Sequence, residues 1–211
     1  MGKKYKDKTC VYCHSRPSVT GDHVFARQFF PVSKRGNLPQ VPTCGICNSE
    51  KAVLEHYLTT MLPFGGQHRD AVRDFATMVP DRLQKNKKLL RILAENKKRV
   101  WFRTDAGIVL PTVSVPFDGE KLSSGGAFIA KGLMWHHWQL LLPDDYSISS
   151  MCLSAAGEQA FNTLFGSKIQ NRVNGSLGNG VFVYRGAQGD DAALTIWEIL
   201  PFGGVMLTDN D

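Results

Sequence analysis

Four of the five cysteines stand as two pairs, Cys10-Val11-Tyr12-Cys13 and Cys44-Gly45-Ile46-Cys47, with 30 residues between them. Each pair can span one edge of a tetrahedron, and thiolate is a good zinc ligand, so the spacing predicts a structural Cys₄ zinc site at Cys10, Cys13, Cys44 and Cys47. A disulfide framework is the rival, and a reducing cytosol disfavours it. Cys10 to His14 also fits the c-type haem attachment pattern, but that goes with export and leaves the second pair without a role. His14 then reads as an exposed loop histidine, and Cys152, in an apolar stretch, as a buried core thiol. Between and just after the pairs stand Asp22-His23, Gly36-Asn37-Leu38 and Asn48-Ser49-Glu50-Lys51. An Asp and a His on one strand, facing an Asn at the start of a zinc-clamped helix, can gather a hard cation beside a base. Neighbouring strand residues point to opposite faces, so Asp22 and His23 share one centre only through a bend or a backbone contact.

Charge is divided unevenly along the chain. The 211 residues carry a formal +6, but residues 1–103 hold 20 Lys and Arg against 8 acids, and residues 104–211 hold 5 against 11. The first half is therefore +12 and the second −6, which is the footprint of a polyanion-binding half joined to one that does not wrap nucleic acid. The rival reading is a solvated basic surface with no partner. The acidic half is expected to act as a scaffold, a sensor, or a surface for a protein partner or a second copy of the chain. The 43% apolar content and 12 Phe suffice for a packed core. The longest apolar stretch, around 127–142, is broken by Lys131, His136 and His137, so no bilayer-spanning helix is expected. The basic lead is not followed by the apolar run of a signal peptide, and a cytoplasmic protein is expected.

The elements that must position these residues follow from pattern. Short strands are expected at 19–25 and 41–43 across a loop with Pro31, Gly36 and Pro39, then a helix from Asn48 to Leu62 with Asn48 or Ser49 as N-cap. Pro63-Phe64-Gly65-Gly66 ends it. A helix over 69–78 precedes a basic amphipathic helix over 81–99, in which Leu83, Leu90 and Leu93 make an apolar stripe and Lys85, Lys87, Lys88, Lys97 and Lys98 crowd the other side. Beyond it, strands are expected at 100–102, 108–115, 147–153, 181–184, 194–199 and 205–207, with helices within 119–142 and near 157–165. Adjacent His136 and His137 face different ways on a helix, which favours packing or hydrogen bonding over a metal site. The fold class is α+β, divided as 1–66, a basic helical 67–103, and an acidic α+β 104–211.

Over residues 10–55 the chain resembles the HNH endonuclease family, whose signature is Asp-His on a first strand, an Asn in the following loop, and His or Asn after a second cysteine pair. The resemblance implies a zinc-stabilised ββα-metal finger. It makes His23 the general base, Asn37 the loop residue that orients it, and Asp22 and Asn48 ligands of a catalytic Mg²⁺ or Mn²⁺ separate from the zinc. Hydrolysis of DNA to a 5′-phosphate and a 3′-hydroxyl is the implied reaction. Lys51 and the lysines of residues 81–99 are the expected phosphate contacts, with solvation the alternative at Lys51. Glu55 and His56 read as a polar helix face or an extra ligand. Two other functions are open: a zinc-finger nucleic-acid-binding protein without catalysis, and a nuclease acting on RNA.

Overall fold

The computed structural model describes residues 3–103, 106–166 and 170–204. It is a mixed α+β structure. β1 (Thr20–His23) and β2 (Gln40–Thr43) make an antiparallel pair, and helix α1 (Gly45–Met61) follows at once. α1 starts earlier than its sequence predicts. Cys44 takes the N-cap position and Cys44-Gly45-Ile46-Cys47 already winds as the first turn, so Asn48 donates its N–H to the Cys44 carbonyl at 3.0 Å and is no cap. A ligand pair on a helical turn brings its two sulfurs to one side, which the pattern of apolar residues does not reveal.

Helices α2 (Arg69–Thr77), α3 (Val79–Lys85) and α4 (Lys87–Asn96) follow. The single helix expected over 81–99 is instead broken at Asn86, whose side chain caps α4 by accepting from the Leu89 N–H at 3.1 Å. Lys97 is already extended, and Lys98 opens β3 (Lys98–Arg103), where Val100-Trp101-Phe102 suits a pleated strand. Lys85, Lys87 and Lys88 thus sit on or beside helices, whereas Lys97 and Lys98 do not; all five are exposed. β3 pairs antiparallel with β4 (Val109–Ser114).

Helix α5 (Gly119–Trp138) packs along α1 and the finger. Two glycines permit the approach: a Cβ at Gly132 would lie 2.8 Å from Val24, and one at Gly125 would collide with Leu58. The strand expected at 147–153 is absent. That segment alternates like a strand but meets α5, where Ser123 Oγ donates to the Ser150 carbonyl at 3.1 Å, and Cys152 within it is exposed where a buried thiol was expected. After helix α6 (Ala155–Gly166), strands β5 (Gln170–Leu177), β6 (Phe182–Gln188) and β7 (Thr195–Pro201) form an antiparallel sheet in that order. β5 is polar, Gln170-Asn171-Arg172-Val173-Asn174-Gly175, and its sequence does not announce it. The strand expected at 205–207 lies outside the described residues.

One apolar cluster crosses the compositional boundaries drawn at 66 and 103. Phe25, just after β1, lies 4.9 Å from Phe182 and 5.8 Å from Tyr184 of β6, and Phe29 lies 4.7 Å from Phe182. Edge-to-face and offset aromatic contacts of this kind add to what area burial alone supplies. The finger is thereby fixed to the three-stranded sheet as well as to α5.

Candidate metal centre and the adjoining base

The first cysteine pair lies on a knuckle closed by Cys10 N–H to the Arg16 carbonyl and His14 N–H to the Cys10 carbonyl, both 3.0 Å. His14 is half-buried here, its Nε2 within 2.8 Å of the Val11 carbonyl, and so is not the free loop residue expected. The Val11 N–H donates to the Pro42 carbonyl at 3.0 Å, tying the knuckle to β2 and hence to the second pair at the head of α1. The result is convergence. The sulfurs of Cys10, Cys13, Cys44 and Cys47 all lie within 4.8 Å of one another, and Cys13 and Cys44 are 3.9 Å apart. Zinc–sulfur bonds of about 2.3 Å make the edge of a ZnS₄ tetrahedron about 3.8 Å, so the four cysteines are spaced to hold a zinc ion.

Three of these thiols are perturbed, and unequally. Burial opposes ionisation of Cys13, but hydrogen bonds from Ser15 and from neighbouring thiols outweigh it and bring Cys13 down to about 6. Cys44 is lowered too, against its burial, by Cys47 and by Arg16, whose Nη1 lies 4.0 Å from the sulfur. Burial and the neighbouring sulfurs push Cys47 up. Four thiolates this close repel one another, and a dication removes the conflict.

On β1, alternation sends Asp22 and His23 to opposite faces. His23 sits across from Gln40, and Gln40 Nε2 approaches His23 Nε2 to 2.7 Å. As placed, the Gln40 amide N–H donates to the His23 Nε2 lone pair and the ring proton sits on Nδ1; with the amide turned to present its oxygen, His23 Nε2–H donates to Gln40 and Nδ1 carries the free lone pair. Burial first, then the charge of exposed Arg27, lowers the His23 pKa below 6.5, with Asp22 opposing and Lys51 adding to the fall. A neutral imidazole at neutral pH is the consequence. Asn37, expected to orient this ring, is exposed in the loop at a left-handed φ of 58°, and Gln40 holds the ring instead.

Asp22 faces the other way, into a network that its sequence did not announce. Asp22 Oδ2 accepts from Tyr12 Oη at 2.8 Å and pairs with Lys51 Nζ at 3.0 Å. Lys51 also pairs with Glu55, its neighbour one helical turn on, and donates to the His23 carbonyl at 2.7 Å. Only 3% of the Lys51 side chain is exposed, so it neither meets solvent nor reaches a phosphate on the surface, as expected of it. Burial raises Glu55 against the pull of Lys51, and burial followed by Asp22 raises Tyr12, which stays a donor. Asn48 lies one turn before Lys51, on the same face of α1. Tyr12 sits inside a cysteine pair and Lys51 and Glu55 are spaced i,i+4; the second signal was readable, but its burial was not.

The divalent ion implied at Asp22 and Asn48 does not fit this arrangement. One Asp22 oxygen is already held by a phenol and an ammonium, Glu55 is held by the same ammonium, and a second cation there would face Lys51 at close range. Among the described residues, the one cluster of three or more Cys, His, Asp or Glu able to hold a metal is the set of four cysteines. Of the paired histidines of α5, His137 packs as expected, its Nε2 3.0 Å from the Tyr184 hydroxyl and its ring 6.1 Å from that of Trp197, while His136 is exposed. No helix among the described residues is long and apolar enough to cross a membrane. No protein-family model, curated protein or solved structure matches this chain.

Proposed function

We propose that residues 10–55 form a zinc-stabilised hydrolytic site of the HNH type that cleaves phosphodiester bonds in DNA, with His23 as general base. The carrying observation is the neutral, half-buried His23 ring, held at Nε2 by Gln40 on a hairpin that the four-cysteine cluster ties to α1. With the Gln40 amide turned to accept from Nε2–H, His23 Nδ1 would take the proton of a water attacking phosphorus, and the 3′ oxygen would leave and take a proton from solvent water. Arg27 beside the ring, and exposed Lys85, Lys87, Lys88, Lys97 and Lys98, supply positive charge for the phosphate backbone. RNA offers the same linkage and is the alternative substrate. A second reading, a zinc finger that binds nucleic acid without cutting it, is favoured by the hold of Lys51 on Asp22.

Supercoiled-plasmid cleavage by zinc-loaded wild type and His23→Ala, in Mg²⁺, in Mn²⁺ and with neither, separates these readings. Cleavage by wild type and its loss in His23→Ala at unchanged affinity is the expected result. Two inert proteins that still bind DNA would leave the binding reading standing.

A further inference from the structure

β3 and β4 pair only with each other among the described residues, so they form a two-stranded ribbon. Alternation and register set Arg99, Trp101 and Arg103 on one face, directly across from Val113, Pro111 and Val109. All six are exposed, and Trp101 is 68% exposed. Val100 and Phe102, on the opposite face, are half-buried, while Thr112 and Leu110 across from them are exposed, so the indole stands on the more exposed of the two faces. Each guanidinium lies two residues from Trp101, about 7 Å along the strand.

We propose that this more exposed face binds unpaired nucleic acid: a base stacks on the Trp101 indole and its flanking phosphates pair with Arg99 and Arg103. An aromatic platform between cations is what single-strand binding uses, because every base has a π-face and every nucleotide a phosphate. In a duplex the base faces are covered by their neighbours, so the indole discriminates in favour of unpaired strands. A second copy of the chain is a poor occupant. Six side chains make the face, against about 20–30 residues a side in a stable interface. Two such faces would also oppose guanidinium to guanidinium. Pro111 and the basic residues of β3 guard the edges against strand addition. The inference goes beyond the hydrolytic reading, since it concerns binding and needs no proton transfer at His23.

The test titrates a labelled oligothymidylate and a labelled hairpin duplex with wild type, Trp101→Ala, Trp101→Phe, Arg99→Ala and Arg103→Ala, without divalent ions and over a range of KCl. Trp101→Ala should weaken single-strand binding about 10-fold and leave duplex binding nearly unchanged, with Trp101→Phe recovering most of the loss. Each Arg→Ala should reduce the salt slope for the single strand by about 0.7. Unchanged oligothymidylate affinity in Trp101→Ala, or an equal loss on duplex, overturns the proposal. So does a wild-type dimer in sedimentation that Trp101→Ala dissociates. Binding here together with no plasmid cleavage in Mg²⁺, in Mn²⁺ or with neither would sink the nuclease reading and leave this one intact.

Discussion

Two clusters of ionisable side chains lie within one finger, and they solve the problem of charge in opposite ways. At the cysteine cluster four acidic groups converge, and exposed Arg16 is the nearest cation, with Nη1 4.0 Å from Cys44. Around Asp22 the chain supplies its own cation, and Lys51 bonds Asp22, Glu55 and the His23 carbonyl at once. The first cluster is spaced to take a metal ion; the second is already balanced by an ammonium. Buried charge must be balanced by something, and a cation already supplied by the chain leaves less room for a metal ion.

The largest effect is expected where the balance comes from outside. Cys44→Ser should lower zinc content from one ion per chain and unfold the finger, since zinc binding and folding are coupled and structural zinc is worth about 10 kcal/mol or more in isolated fingers. Metal analysis and far-ultraviolet circular dichroism read this directly. Exposed Cys152→Ser should change neither. Full zinc in a stable Cys44→Ser protein would break the comparison at its first half.

The next largest lies at Lys51. Lys51→Met removes one partner of a buried ion pair and leaves Asp22 and Glu55 facing each other, which costs about 3–5 kcal/mol. Urea denaturation should show it. The informative arm adds Mn²⁺. Wild type should bind zinc alone, with no further ion in Mn²⁺ electron paramagnetic resonance, while the variant should gain a Mn²⁺ site and recover stability on binding it. A stoichiometric Mn²⁺ site in wild type would show that Lys51 yields to a divalent ion, and the two clusters would then be alike.

The same contrast explains what could be read in advance. Cys10, Cys13, Cys44 and Cys47 announce their convergence because ligand spacing is a local property. The β1–β2 pair and α1 follow from turn residues and periodicity around them. Gln40 and Tyr12 were invisible, and Glu55 was legible only as a polar helix face or an extra ligand, because their roles depend on cross-strand register and on how α1 rolls against β1. Lys51 was misjudged for a related reason: lysine is almost always solvated, and only a carboxylate on each side makes its burial tolerable. The break at Asn86 was legible as a cap but hidden within a continuous apolar stripe, and β5 hides because its neighbours, not its polar residues, make it a strand.

A third group carries the idea to a place with neither a metal nor a counter-charge in evidence. Burial alone lowers His136, and burial followed by His136 lowers His137, so both rings are neutral in the fold. His137 Nε2 lies 3.0 Å from the Tyr184 hydroxyl, which burial keeps protonated, and protonation of the ring places a charge against Trp197. The unfolded chain takes up these protons near the ordinary histidine value, so the contribution to stability is present above about pH 6.5 and is lost as pH falls through the unfolded value towards the lower folded one. His137→Gln keeps a hydrogen-bonding group without the titration. Its melting temperature should therefore fall less than that of wild type between about pH 7 and pH 5, by a few degrees at most because both rings are half-exposed. Parallel curves for the two proteins would mean that the solvent already screens this pair, and that burial without a partner charge governs less here than at Asp22 and Lys51.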